Sequence, residues 1–218
     1  MHLVLFDVDG TLVDSAHLIC ATMDRAFATL GLPAPPHAAT RAIVGLSLPQ
    51  AMADLAPDLP EADRARLVAA YKDGFTLERD AAPATLYPGI AALLDGLAAR
   101  DDLLLGVATG KSRKGLDHLI AAHGWGRLFL TRQTADTNPS KPHPGMIHAA
   151  LAETGAQAAR TLMVGDTRFD MQMAVAAGVR GLGVGWGYHA AETLAGAGAA
   201  RVLGDAAALG AAIEEMTA

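Results

Sequence analysis

The chain has 218 residues, 51% of them apolar and 18% charged, with a formal net charge of -6. That is enough apolar chain for a sizeable core, and enough length for one large domain or a core with a smaller companion. No run of Lys and Arg is long enough to mark a nucleic-acid or membrane patch, and no stretch approaches the roughly 18 apolar residues of a membrane helix. Cys20 is the only cysteine, so an intrachain disulfide is excluded and the default placement is cytoplasmic. The low charge leaves either a monomer or a homodimer open.

The first element is a short apolar run, LVLFDV at 3–8, which reads as a buried strand ended by Gly10. Residues 16–30 repeat apolar positions at three and four, giving an amphipathic helix stopped at Gly31. Short helices are expected at 38–44 and 47–56, the second opening at Ser47 with Pro49 in its first turn. A longer helical stretch covers 61–80, expected to be interrupted or bent at Gly74, and 81–89 reads as a linker.

The period then changes. Helices at 90–100, 113–124, 144–155, 171–178, 191–198 and 206–216 alternate with short apolar strands at 103–109, 127–131, 161–166, 179–187 and within ARVLGD. Such alternation predicts an α/β fold: a Rossmann-like, mostly parallel sheet flanked by helices. The all-helical stretch interrupts it directly after the first strand. The economical division is a core of 1–13 and 83–218 with a helical insert of 14–82. Both linkers approach one end of the sheet, where ligands bind in open α/β folds.

Acids and cations collect at that end. Asp7 and Asp9 are two apart in extended chain, so both carboxylates can face one site, with Gly10 permitting a sharp turn beside them. Close carboxylates repel unless one is protonated or a cation is present, and magnesium favours such oxygen ligands. Asp166 ends the strand at 161–166 and Asp170 follows four residues later; the first is a natural further ligand, the second a water-mediated ligand or an anchor. Thr109 offers a hydroxyl, Gly110 a backbone N–H that an anion can approach, and Lys141 a point charge in a proline-bracketed loop. Acids alone suggest a metal site; acids with Thr109, Gly110 and Lys141 suggest a metal plus phosphate site.

DVDGTLVDS at 7–15, ATG at 108–110, Lys141 within SKPHP and GDTRFD at 165–170 occur in order. Together they resemble the four motifs of haloacid-dehalogenase-like hydrolases, over essentially the whole chain. The resemblance implies that Asp7 is a nucleophile forming an aspartyl-phosphate and that Asp9 protonates the leaving oxygen, then activates water. It implies that Thr109 and Lys141 hold the phosphoryl oxygens. It implies that Mg2+ is bound by Asp7, Asp166 and the backbone carbonyl of Asp9, with Asp170 in support. The helical insert corresponds to the family's cap. The acid at Asp9 favours the phosphotransfer branch over dehalogenase chemistry, and the segment 183–203 is similar to phosphoglycolate-phosphatase-like members.

The expected activity is magnesium-dependent hydrolysis of a small phosphomonoester, with 2-phosphoglycolate first to try. A sugar phosphomutase, a pyrophosphate or nucleotide hydrolase, and a non-catalytic phosphate-binding protein are the alternatives. Among the remaining residues, Arg41 and Lys72 are candidates for an anionic substrate tail, and Ser15 reads as a helix cap. The histidines have no ligand-like spacing; Trp125, Phe129 and Trp186 read as packing.

Overall fold

The computed structural model describes residues 1–81 and 84–218. Strand β1 (His2–Phe6) opens the chain, and a two-residue strand β2 (Val13–Asp14) leads into helices α1 (Ala16–Thr29), α2 (His37–Ala42), α3 (Leu48–Leu55) and α4 (Glu61–Ala81). Strand β3 (Thr85–Leu86) leads back out, pairing antiparallel with β2. Then follow α5 (Ile90–Ala98), β4 (Leu103–Thr109), α6 (Arg113–Ala122), β5 (Thr131–Thr134), α7 (Gly145–Thr154), β6 (Thr161–Gly165) and α8 (Arg168–Ala176). The chain closes with β7 (Arg180–Val184), α9 (Ala191–Gly196), β8 (Ala199–Leu203) and α10 (Ala206–Thr217).

The main sheet is a six-stranded α/β sheet in the order β5-β4-β1-β6-β7-β8, with every pairing parallel. Period-two alternation sorts β1 between two cores. Val4 and Phe6 join a cluster with Ile90, Leu94, Leu116 and Leu209, whereas Leu3 and Leu5 join Met146, Ile147, Met163 and Met173. With both faces covered, the central strands β1, β4 and β6 are nearly continuous apolar runs. Because β4 and β6 flank β1 on opposite sides, chain connections diverge there, and a crevice opens above the carboxyl ends of these three strands.

The four helices between β2 and β3 have an apolar cluster of their own, built on Met23, Phe27, Met52 and Leu67. The helix is not interrupted at Gly74: α4 runs unbroken to Ala81. Gly74 serves packing instead, since a Cβ there would lie 2.9 Å from Arg25 Cδ on α1. The expected linker over 81–89 contains β3, with residues 82 and 83 outside the described residues, as is the expected boundary between insert and core. Among the described residues no helix is long and apolar enough to cross a membrane.

One strand sits elsewhere than its apolar content predicts. Residues 127–130, RLFL, are a packed turn, and the strand is the polar TRQT that begins at Thr131. Phe129 packs edge-on to Trp125 with ring centroids 5.6 Å apart, so its burial is that of a turn side chain. Strand β5 lies at the sheet edge, where Thr131 and Gln133 reach Glu153 of α7 and no apolar run is required. Phe129 is 3% exposed and Leu130 58%. Phe129→Ala is therefore expected to cost about 3–5 kcal/mol and Leu130→Ala less than about 0.5 kcal/mol, as read from urea unfolding; equal losses would restore the strand at 127–131.

Candidate active site

Strand β1 delivers Asp7 and Asp9 to the crevice, both nearly inaccessible. Gly10 then turns at φ +85, and the backbone lies so close to Asp166 and the Tyr188 ring that no side chain fits there. Strand β4 ends on Thr109, followed by Gly110. Strand β6 ends just before Asp166, and Lys141 comes from the loop before α7. Asp7, Asp9, Thr109 and Gly110 line one cavity of about 110 Å3, and Lys141 stands behind Asp7.

The lower half of the site is a buried charge cluster. Lys141 Nζ lies 2.9 Å from Asp7 Oδ1 and 2.6 Å from Asp170 Oδ1. Asp166 accepts from the Thr11 hydroxyl at 2.9 Å and from the Tyr188 backbone N–H at 2.8 Å. Asp170 Oδ2 accepts from the Thr167 N–H at 3.0 Å and hydroxyl at 2.7 Å, closing a capping box at the start of α8. Asp170 is thus fixed on both oxygens, in keeping with an anchor. Asp7 is the opposite case. Both its carboxylate oxygens are buried and neither accepts a hydrogen bond, so the contact with Lys141 is one of charge.

Burial pushes the Asp7 carboxyl up to about 6, with Lys141 opposing the rise and Asp170 adding to it. Burial also raises Asp166 well above the carboxylate range, reinforced by Asp170 and Asp7. Burial alone would lower Lys141; Asp170 and Asp7 outweigh it and hold the ammonium above the ordinary lysine value. Asp7, Asp166 and Asp170 offer oxygens within 4.8 Å of one another. Three carboxylates against one lysine leave two formal negative charges, and Asp7 has both oxygens unsatisfied. That charge and those oxygens fit a hard divalent cation.

Asp9 is held separately. Its Oδ1 accepts from the Ser15 hydroxyl at 2.6 Å, and its Oδ2 lies 2.9 Å from Lys111 Nζ. Ser15 occupies the N-cap position of α1 without capping it, because its hydroxyl is used on Asp9. That corrects the expectation of a plain cap.

Lys111 is the residue that sequence reasoning missed. It directly follows Thr109 and Gly110, and that position, one past a strand-end motif, was the available signal. Tyr188 was missed too; besides its backbone bond to Asp166, its hydroxyl lies 3.2 Å from Ser15 Oγ. Arg41 and Lys72 are exposed and do not line the cavity, so the structure does not bring them to the site.

The loop between α2 and α3, IVGLS, roofs the cavity. The Ser47 N–H donates to Ser140 Oγ at 2.8 Å, and His189 Nε2 lies 3.2 Å from the Ala42 carbonyl while its Nδ1 accepts the Arg168 N–H at 3.0 Å. Gly110 is pressed against the same loop: a Cβ there would lie 2.5 Å from the Gly45 carbonyl oxygen and 2.6 Å from that of Leu46.

Comparison with known proteins agrees with this geometry. Residues 4–184 match the haloacid dehalogenase-like hydrolase family. A Dickeya dadantii protein named "Probable phosphatase IndB" is 36% identical over 200 residues, covering 88% of this chain and 84% of that protein. A phosphoglycolate phosphatase of Yersinia pseudotuberculosis is 32% identical over 199 residues, covering 88% and 84%. The crystal structure of a hydrolase from Pseudomonas syringae superposes with a TM-score of 0.89 at 24% identity, over 100% of both chains, a likeness of fold.

The Asp7 carboxyl gives a pH test. A raised pKa means that the folded chain holds this proton more tightly than the unfolded one, so metal-free stability falls as pH rises from about 4 to about 6. Asp7→Asn removes that loss. In thermal melts of metal-free protein, the variant is expected several degrees above wild type at neutral pH, with the gap closing towards pH 4; a variant melting at or below wild type at neutral pH would contradict the buried, unsatisfied charge.

Proposed function

The chain belongs to the haloacid dehalogenase-like hydrolases and is a phosphatase, and from that premise we propose that it releases phosphate from a small phosphomonoester through an aspartyl-phosphate on Asp7. The observation that carries the reading is the Asp7 carboxylate itself: buried, without a hydrogen bond, beside the Lys141 ammonium and facing the cavity. A carboxylate held by one ammonium alone keeps lone pairs available for attack.

Asp7 and Asp166 side chains, with the Asp9 backbone carbonyl, would hold Mg2+, and Asp170 is kept in place by Lys141 and Thr167. Bound there, the ion supplies positive charge to the phosphoryl oxygens. Lys141, the Thr109 hydroxyl and the Gly110 N–H supply the remaining contacts to those oxygens. An Asp7 oxygen attacks phosphorus as the ester P–O bond breaks, and the departing oxygen takes a proton from Asp9. Water then attacks the phosphorus of the aspartyl-phosphate, Asp9 takes the water's proton, and phosphate leaves with Asp7 restored. Ser15 and Lys111 orient Asp9 for both transfers.

In this reading residues 14–82 form a cap over a core of 1–13 and 83–218. The IVGLS loop, seated on Gly110, Ser140 and His189, excludes bulk water from the reaction. A small substrate fits the cavity; its volume of about 110 Å3 is less than the roughly 150 Å3 cavity that takes one benzene. 2-Phosphoglycolate is the member of the class that the relatives' names put forward.

Phosphate release from a panel of small phosphoesters with Mg2+ is the direct assay, and Asp7→Asn is expected to lower it by at least about a thousandfold. Free phosphate as product separates hydrolysis from the mutase reading, which would return an isomerised phosphate; no release from any ester by folded protein would sink the proposal. Gly110→Ala is expected to lower kcat/KM by about a hundredfold, because the backbone carbonyls it meets cannot yield and the roof must move; unchanged turnover would show that closure over Gly110 is dispensable.

A further inference from the structure

The roof of the cavity carries information about the group that departs. The insertion contributes Met23 from α1, Ile43 and Leu46 from the IVGLS loop, and Tyr71 and Phe75 from α4; its other lining residues are likewise uncharged. From the core, the cation on this wall is Lys111. Its ammonium is already committed, 2.9 Å from Asp9 Oδ2 and 4.9 Å from the centre of the Phe75 ring, with its side chain 8% exposed. Arg41 and Lys72, the insertion cations with which an anionic tail could pair, lie outside the cavity.

A carboxylate on the departing group would leave water for a wall of hydrocarbon and aromatic side chains on which Lys111 is the one cation among the described lining residues, and it already faces Asp9 and the Phe75 ring. Desolvation of an unpaired ion is heavily penalised. An aromatic ring presents a negative face that attracts cations and repels anions. An alkyl or hydroxyalkyl group meets neither penalty, and the Tyr71 hydroxyl is available on the wall to a hydroxyl.

We propose that the substrate's departing group is small and uncharged, alkyl or hydroxyalkyl, and that Met23, Ile43, Leu46, Tyr71 and Phe75 select it over a carboxylate-bearing group such as glycolate. This selection rests on the phosphomonoesterase reading above and narrows it. It separates this chain from the activity for which several of its relatives are named.

The test is a comparison on the wild-type enzyme with Mg2+ between ethyl phosphate, 2-hydroxyethyl phosphate and 2-phosphoglycolate. All three expel an alkoxide, so the contrast reads the wall and not the intrinsic lability of the ester. The better uncharged ester is expected to exceed 2-phosphoglycolate in kcat/KM by at least about tenfold. A smaller ratio, or a preference for 2-phosphoglycolate, overturns the selection and leaves the phosphatase reading intact. No hydrolysis of any of the three, nor of a broader ester panel, defeats that reading and this one with it. Ile43→Arg places a cation on the wall and is expected to shift the ratio towards 2-phosphoglycolate by about tenfold. An unchanged ratio in the folded variant would remove the wall as the origin of the preference.

Discussion

The structure is organised around an ion cluster that cannot balance itself. Asp7, Asp166 and Asp170 converge at the ends of strands that touch only in the folded sheet, and Lys141 is the one cation buried among them. Such a cluster survives in a dry interior only where most of its oxygens are satisfied. Thr11, Thr167 and the Tyr188 backbone satisfy Asp166 and Asp170, and each comes from a loop whose course is set by that bond. Asp7 is left out of this arrangement, with neither oxygen so satisfied, as suits the nucleophile proposed for it.

A second, balanced pair stands apart from the first. Lys111 neutralises Asp9, and Ser15 fixes the other oxygen of the same carboxylate. The excess negative charge is therefore confined to the side on which a divalent cation fits, while the acid–base residue is steadied by its own partners. Lys111 also lies against Phe75 of the helical insertion. One lysine thus joins Asp9, the loop after β4 and the roof, so the placement of Asp9 is physically coupled to that of the insertion.

Much of this was legible in the chain. Six apolar strands alternating with helices predicted the α/β sheet, and an uninterrupted helical stretch predicted the insertion after the first strand. Asp7, Asp9, Thr109, Gly110, Lys141, Asp166 and Asp170 could be picked out because carboxylates, glycine and lysine at strand ends have few structural uses there. The failures have physical causes. Apolar content placed a strand at 127–131, but Phe129 is buried in a turn against Trp125, and an edge strand needs no apolar run. Ser15 had the position of a cap and was drawn to Asp9 by a contact that requires the turn at Gly10. Gly74 looked like a break because glycine lowers helix propensity, yet it is the close approach of α1 that uses it.

By itself, then, the sequence determined the fold class, the order of the elements and the residue types at each strand end, because periodicity and turn chemistry are local. Only the tertiary structure decided which oxygen meets which donor. The Lys111–Asp9 pair, the backbone bond from Tyr188 to Asp166 and the seating of Gly45 and Leu46 on Gly110 join segments with no fixed spacing in the chain. It also decided that Arg41 and Lys72 do not line the cavity and that apolar side chains line the roof, because a helix's position in sequence does not say which of its faces the rest of the molecule will cover.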